Sequence, residues 1–355
     1  MALIELIAGF ALLVAGAEVL VRGASRLAAA FGVSPLLIGL TVVAYGTGTP
    51  EMAVSAIAAA EGTTDIALGN VVGSNIFNVL LILGLSAVIA PLLVSQELVR
   101  RDVPLMIGVS ILAWALALDS RIGRIDGVLL LAGMVAYTIL LVRQSRSESA
   151  VVQRKYAAGV DAGGLGLRGG VTNAAFIAAG LGLLIAGSNL LVDGAIAVAR
   201  GLGVSELIIG LTIVAAGTSL PEVATSVLAS LRGQRDIAVG NVVGSNIYNI
   251  LAVLGLSAVL APGGLPVSAA ALGFDLPVMV AVAVACLPIF FTGHLIARWE
   301  GVLFLGYYAA YTAYLVLAAA EHDALPFYNA MILYFALPLT AVTLVVVSWR
   351  AWRLR

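Results

Sequence analysis

The sequence predicts an all-α polytopic membrane protein: two five-helix repeats inserted in opposite senses, each with a broken helix, plus an extra C-terminal helix, about 11 spans in all. Three observations predict it. Of the 355 residues, 62% are hydrophobic and 10% charged, whereas soluble domains carry about 25% charged residues. Residues 38–88 recur as 209–259, without a gap at an offset of 171, with 33 of 51 positions identical. Lys and Arg are segregated: 15 of the 18 fall in connections on one face of the inferred membrane, and Arg121, Arg124 and Arg200 on the other.

Windows of about 20 apolar residues place spans near 2–21, 35–60, 66–90, 102–119 and 125–142, so the first repeat occupies 1–142. The AGAEVLVRGA of the first span resembles the AGSNLLVDGA that begins at Ala186, and Glu5 stands where a signal peptide would be basic; this is a retained helix. A polar connection, 143–170, reads as a flexible cytoplasmic tether. The second repeat, 171–319, gives spans near 171–192, 206–230, 237–261, 271–291 and 299–319, and 320–355 holds the extra helix and a cytoplasmic tail. RIDGVLLLAGMVAYTILLV from Arg124 matches RWEGVLFLGYYAAYTAYLV from Arg298, which extends the duplication over all five spans. Five is odd, so the copies cross in opposite senses. The arginine-rich face is cytoplasmic by the positive-inside rule, which puts the N-terminus outside and the C-terminus inside a cell (inner) membrane.

Each copy carries a Pro-Glu pair, Pro50-Glu51 and Pro221-Glu222, within an otherwise apolar span. A charge near mid-membrane costs about 2.5 to 3.5 kcal/mol on insertion scales, and such residues face cavities or ion paths. Proline has no N–H, so the carbonyls of Gly46 and Gly217 lose their helical partners and each span should break in two. Freed carbonyls in a broken span are cation ligands. The next spans present Asn70, Ser74 and Asn78, and Asn241, Ser245 and Asn249, each set on one helical face. Gly69 and Gly73, and Gly240 and Gly244, should let these helices approach a neighbour closely. Two carboxylates among carbonyl, hydroxyl and amide oxygens make a hard site suited to Ca2+, and the same oxygens can hold Na+. Ligation and plain interhelical hydrogen bonding stay equally open for Asn70, Asn75, Asn241 and Asn246. Asp65, Asp236, Asp102 and Asp275 read as helix caps. Glu18, whose counterpart is Asn189, lies outside the duplicated pattern. Cys286 alone, with His294 and His322, provides no disulfide or soft-metal framework.

These motifs, GTGTPE at Gly46, GTSLPE at Gly217 and GNVVGSNI[FY]N at Gly69 and Gly240, resemble the cation/calcium exchanger superfamily, specifically the prokaryotic sodium/calcium exchangers. The resemblance spans the ten repeat-related helices. It implies that Glu51 and Glu222 ligate Ca2+ with the carbonyls of Thr47 and Thr218. Sodium sites would add the carbonyls of Ala44 and Ala215 and the hydroxyls of Ser74, Ser219 and Ser245, with Asn78 and Asn249 lining the middle. Two positions depart from the family pattern: Gly48 lacks the hydroxyl that Ser219 has, and Asn249 stands where the potassium-dependent branch has Asp. Restoring the hydroxyl by Gly48→Ser is expected to tighten sodium binding. The implied activity is Ca2+/Na+ antiport by alternating access, with the first and sixth helices moving against the core; H+/Ca2+ exchange is the alternative. The expected partners are these ions and the lipid bilayer, with no nucleic acid, no prosthetic group and no catalytic residue, since an enzyme would need a group beyond two carboxylates.

Overall fold

In lipid every backbone N–H and C=O must find a partner within the protein, which turns the apolar windows into helices. The computed structural model describes residues 2–31, 33–147, 167–204, 209, 212, 213, 215–291 and 293–353. Most of the 143–170 tether lies outside the described residues, as does part of the seventh span. The first repeat comprises α1 (Ala2–Phe31), α2a (Pro35–Thr47), α2b (Thr49–Ala60), α3 (Thr64–Ile89), α4 (Val103–Leu116, entered through a π turn at Leu98–Asp102) and α5 (Arg124–Ser147). The second comprises α6 (Leu167–Gly201), α7a (Ala215–Gly217), α7b (Leu220–Leu231), α8 (Arg235–Leu260), α9 (Ala271–Phe291) and α10 (Arg298–Ala319). The extra helix α11 follows in three pieces, Leu325–Met331, Ile332–Ala336 and Leu337–Arg353. Among the described residues, eight helices are long and apolar enough to cross a membrane unaided. The second and seventh are split by their breaks, and Arg100, Arg101 and Asp102 crowd the start of the fourth.

α1 and α6 outrun the predicted spans, which stop near the first charges. Arg22, Asp193 and Arg200 are exposed on the helix flanks, where a charge ends an apolar window without ending a helix. The 30 residues of α1 make a rod of about 45 Å, longer than the hydrocarbon core of about 30 Å. The two rods pack antiparallel through glycines seven residues apart. A Cβ at Gly187 would stand 2.7 Å from Leu13 N, and one at Gly9 would stand 2.8 Å from Gly187 O. Gly16 and Gly180 repeat the contact one heptad along, with 2.8 Å to Leu184 N and 2.7 Å to Leu20 N. Only backbones without side chains approach this closely.

Four two-residue strands report the sense of the repeats. β1 (Leu92–Leu93) pairs antiparallel with β4 (Leu295–Ile296), and β2 (Arg121–Ile122) with β3 (Leu265–Pro266). β1 and β4 lie in the α3–α4 and α9–α10 connections, and β2 and β3 in the α4–α5 and α8–α9 connections. Repeats inserted in the same sense would leave each pair on opposite membrane faces; inserted in opposite senses, each pair shares a face. The pairing therefore shows the inversion. α3 and α8 are the most buried of the long helices, while α11 lies on α10, where Tyr328 Oη donates to Ala310 O (2.6 Å) and Tyr307 Oη to Ala336 O (3.1 Å).

Candidate functional site

Both breaks form where the sequence places them. Gly48 (φ −75°, ψ 3°) and Ser219 (φ −90°, ψ 5°) leave helical geometry, and α2b and α7b restart with Pro50 and Pro221 in their first turns. Glu51 and Glu222 follow, each 1% exposed. A first turn offers unsatisfied N–H groups and the positive end of the helix dipole, which favour a carboxylate held deep in the protein. π turns flank the same region: Gly39–Val43 ends at Ala44, while Asn78–Leu83 and Asn249–Leu254 begin at the two site asparagines. Such turns displace the carbonyl ladder and recur at functional sites. The Ala44 carbonyl accepts Gly48 N (3.0 Å), and in α7a the closing bond is Ser219 N to Ala216 O (3.2 Å), beside Ala215.

The repeats then exchange hydrogen bonds. Thr47 Oγ1 donates to Asn241 Oδ1 (3.2 Å), and its counterpart Thr218 Oγ1 donates to Asn70 Oδ1 (3.2 Å). Asn70 Nδ2 donates to Ser55 Oγ and Asn241 Nδ2 to Ser226 Oγ, both at 2.9 Å. Asn70 and Asn241 thus brace each break against the opposite repeat. Asn78 Nδ2 donates to Asn246 Oδ1 (3.0 Å) and Asn246 Nδ2 to Asn75 O (3.3 Å), which joins α3 to α8. Gly240 and Gly244 bring α8 onto α2a, where Cβ atoms would meet Leu36 O at 2.8 Å and Leu40 O at 2.7 Å. The region that duplication assigns to Gly69 and Gly73 falls largely outside the described residues.

At the centre Ser219 Oγ donates to Glu51 Oε1 (2.8 Å) and lies 3.2 Å from Ser74 Oγ. Several buried oxygens have no protein partner: Glu51 Oε2, Glu222 Oε2, Asn78 Oδ1, Asn249 Oδ1 and Ser245 Oγ. A buried polar atom left unpaired calls for an explanation, and for a set made of oxygens alone a hard cation supplies one. Among the described residues no three His, Cys, Asp or Glu side chains converge, so neutral oxygens must complete any cation shell here.

Three features were not legible in the motifs. Ser188 Oγ of α6 donates to Gly217 O (2.6 Å), taking up one of the carbonyls that proline frees, where the first repeat has Ala17. Glu18 pairs with Arg22 on its own helix and with Arg232 (2.9 Å) at the end of α7b, an ion pair whose counterpart positions are Asn189 and Glu61. Tyr248 stacks on Tyr45 with ring centroids 5.1 Å apart and so comes to lie against Gly48. The capping assignments also change. Asp102 is fully buried at the end of the π turn, with Arg101 3.5 Å away and no cap bond, because its side chain turns into the bundle. Asp275 accepts Tyr311 Oη at 3.1 Å. Asp65 stands inside the first turn of α3, where Thr63 is the N-cap residue.

Residues 1–143 and 172–317 match the family model described as sodium/calcium exchanger protein. The chain is 42% identical over 288 residues to the putative antiporter CaxA of Alkalimonas amylolytica, covering 81% of this chain and 88% of that one. It is 33% identical to the sodium/calcium exchanger MaX1 of Methanosarcina acetivorans over 86% of this chain and 96% of that protein. A solved structure of the sodium-calcium exchanger NCX_Mj, soaked with Na+ and Sr2+, superposes with a TM-score of 0.76 at 32% identity, covering 88% of this chain and 97% of its own.

Proposed function

We propose, from the premise that the chain belongs to the sodium/calcium exchanger protein family, that it moves Ca2+ across a membrane in exchange for Na+. Family membership makes it a multi-pass membrane exchanger of cations and Ca2+; sodium as the counter-ion is our assignment. The observation that carries it is the pair of buried glutamates, Glu51 and Glu222, each with an unpartnered oxygen, with Glu51 held against Ser219 of the other repeat and beside Ser74. Two negative charges offset one Ca2+. The carbonyls of Thr47 and Thr218 join the two carboxylates around Ca2+, within the 6 to 8 oxygens that this ion takes, while the carbonyls of Ala44 and Ala215 and the hydroxyls of Ser74, Ser219 and Ser245 serve Na+, with Asn78 and Asn249 lining the middle. Sodium uses the same ligand chemistry, so the two ions displace one another. A proton needs a carboxylate and no such cage, and for that reason sodium is preferred to H+ as the coupling ion.

Alternating access follows from the architecture. Inverted repeats exchange conformations to expose one site to either face. The pair α1 and α6, packed on each other through glycines, is the element that moves. We place the protein in the cell (inner) membrane with its N-terminus outside and its C-terminus cytoplasmic. Equilibrium binding of 45Ca2+ to the purified protein tests the site: Na+ should displace the isotope, K+ should not, and Glu51→Gln should not bind it. Retention of 45Ca2+ in high sodium, with displacement by acid alone, would replace this reading with H+/Ca2+ exchange.

A further inference from the structure

The two halves of the site are related by duplication but are not equal. On one side Ser219 Oγ touches both Ser74 Oγ (3.2 Å) and Glu51 Oε1 (2.8 Å). The counterparts of Ser219 and Ser74 are Gly48 and Ser245. On that side there is no hydroxyl at position 48, and Ser245 Oγ, fully buried, has no protein partner. The space is not open. A Cβ at Gly48 would stand 2.9 Å from Tyr248 Cδ1, 3.0 Å from Ala44 O and 3.1 Å from Tyr248 Cε1, so an aromatic ring crowds the position from which a side chain would have to start.

The ring is held there by Tyr45, which the duplication does not repeat, although the anchor of Tyr45, Thr138, has Thr312 as its counterpart. Tyr45 stacks on Tyr248 at 5.1 Å with an interplanar angle of 22°, and its own hydroxyl is anchored to Thr138 Oγ1 (3.2 Å) on α5. In the other half the position of Tyr45 is Ala216, which offers no ring to stack on. There Phe77, the counterpart of Tyr248, turns to Tyr308 of α10 in an edge-on contact at 5.4 Å, leaving room for Ser219. Tyr308 in turn has Met134 as its counterpart, so Tyr248 has no such alternative. Aromatic partners therefore decide, in each half, whether position 48 or 219 can carry an oxygen. Gly48→Ser alone would drive its Cβ into Tyr248 instead of restoring a ligand, which corrects the simple expectation drawn from the sequence.

We infer that Tyr45, Gly48 and Tyr248 are the residues that set sodium coupling in this exchanger, by dismantling the sodium half-site at Ser245 while the half-site at Ser74 and Ser219 stays complete. The inference rests on the sodium reading proposed above. A cation at the Ser74 half-site has two hydroxyls and the Glu51 carboxylate to bind; one at Ser245 has the Glu222 carboxylate but a single hydroxyl, beside an aromatic wall that supplies no oxygen.

The test converts the first half into the second: Tyr45→Ala, Gly48→Ser and Tyr248→Phe combined. Sodium-dependent 45Ca2+ efflux from proteoliposomes should gain about one in its Hill coefficient for sodium, since the Hill coefficient is bounded by the number of coupled sites. Because three changes could impair folding, a comparison in the otherwise native chain stands beside it. Ser74→Ala should raise the sodium half-saturation about tenfold, the scale of one contact to a charged group, and Ser245→Ala by less than about threefold. Equal losses from the two serine substitutions, or a folded triple variant with an unchanged Hill coefficient, overturn the inference while leaving sodium exchange intact. If calcium efflux from the native protein ignores sodium altogether, the sodium reading itself fails and takes this inference with it.

Discussion

Ser219 Oγ donates a hydrogen bond to Glu51 Oε1 over 2.8 Å, so the break of one repeat holds the carboxylate of the other. The site is therefore a product of both copies, and neither half can form it alone. The exchange of threonine and asparagine contacts, Thr47 with Asn241 and Thr218 with Asn70, has the same consequence.

Glu51→Gln and Glu222→Gln should each reduce calcium transport at least about a hundredfold while leaving insertion and detergent melting near native. Removing one charge leaves a divalent ion half neutralised, and a unit charge pair at 4 Å is worth about 4 kcal/mol even at an effective dielectric of 20. Native uptake rates in either variant would rule out the paired-carboxylate site.

The Thr218–Asn70 brace should be measurable as a coupling. In a double-mutant cycle of Thr218→Val and Asn70→Ala, followed by thermal melting in detergent, the two changes should be non-additive by about 0.6 kcal/mol, the typical size of a hydrogen bond between membrane helices. Strict additivity would mean that the contact contributes nothing.

Gly187→Ala should lower stability and transport together, because its Cβ would stand 2.7 Å from Leu13 N in the α1–α6 contact. Gly182→Ala is the control on the same helix. Nothing lies within 4 Å of its Cβ position, and the exchange of Gly for Ala should help a helix by up to about 1 kcal/mol. Equal effects of the two substitutions, read as melting temperatures, would show that the rods do not depend on backbone contact.

Much of this was legible in the sequence because duplication doubles every signal. The Pro-Glu pairs, the broken spans and the Asn/Ser stripes appear twice, and the odd span count fixes the inversion that the strand pairs display. The lengths of α1 and α6 were not, since Arg22 and Asp193 end an apolar window without ending a helix. The roles of Ser188 and Tyr45 were hidden for the opposite reason: each occurs in one repeat only, and the contacts that give them roles, Ser188 with Gly217 O and Tyr45 and Gly48 with Tyr248, join residues distant in sequence. Asp102 looked like a cap from its place before a proline-containing helix start, but a π turn carries its side chain into the bundle.

Topology follows from the charge segregation and the inverted repeats. A tag at Met1 should be reached only from outside the cell, and one following Arg355 only from the cytoplasm. Accessibility of both tags from one side would contradict an odd number of spans.

The measurement that bears most directly on the central claim is 45Ca2+ movement in proteoliposomes with the sodium gradient imposed, removed and reversed. Calcium should move against the direction of sodium, stop when the gradient is removed, reverse when it is reversed, and be unaffected by potassium. Calcium uptake driven as fast by a pH gradient in sodium-free vesicles would contradict sodium exchange.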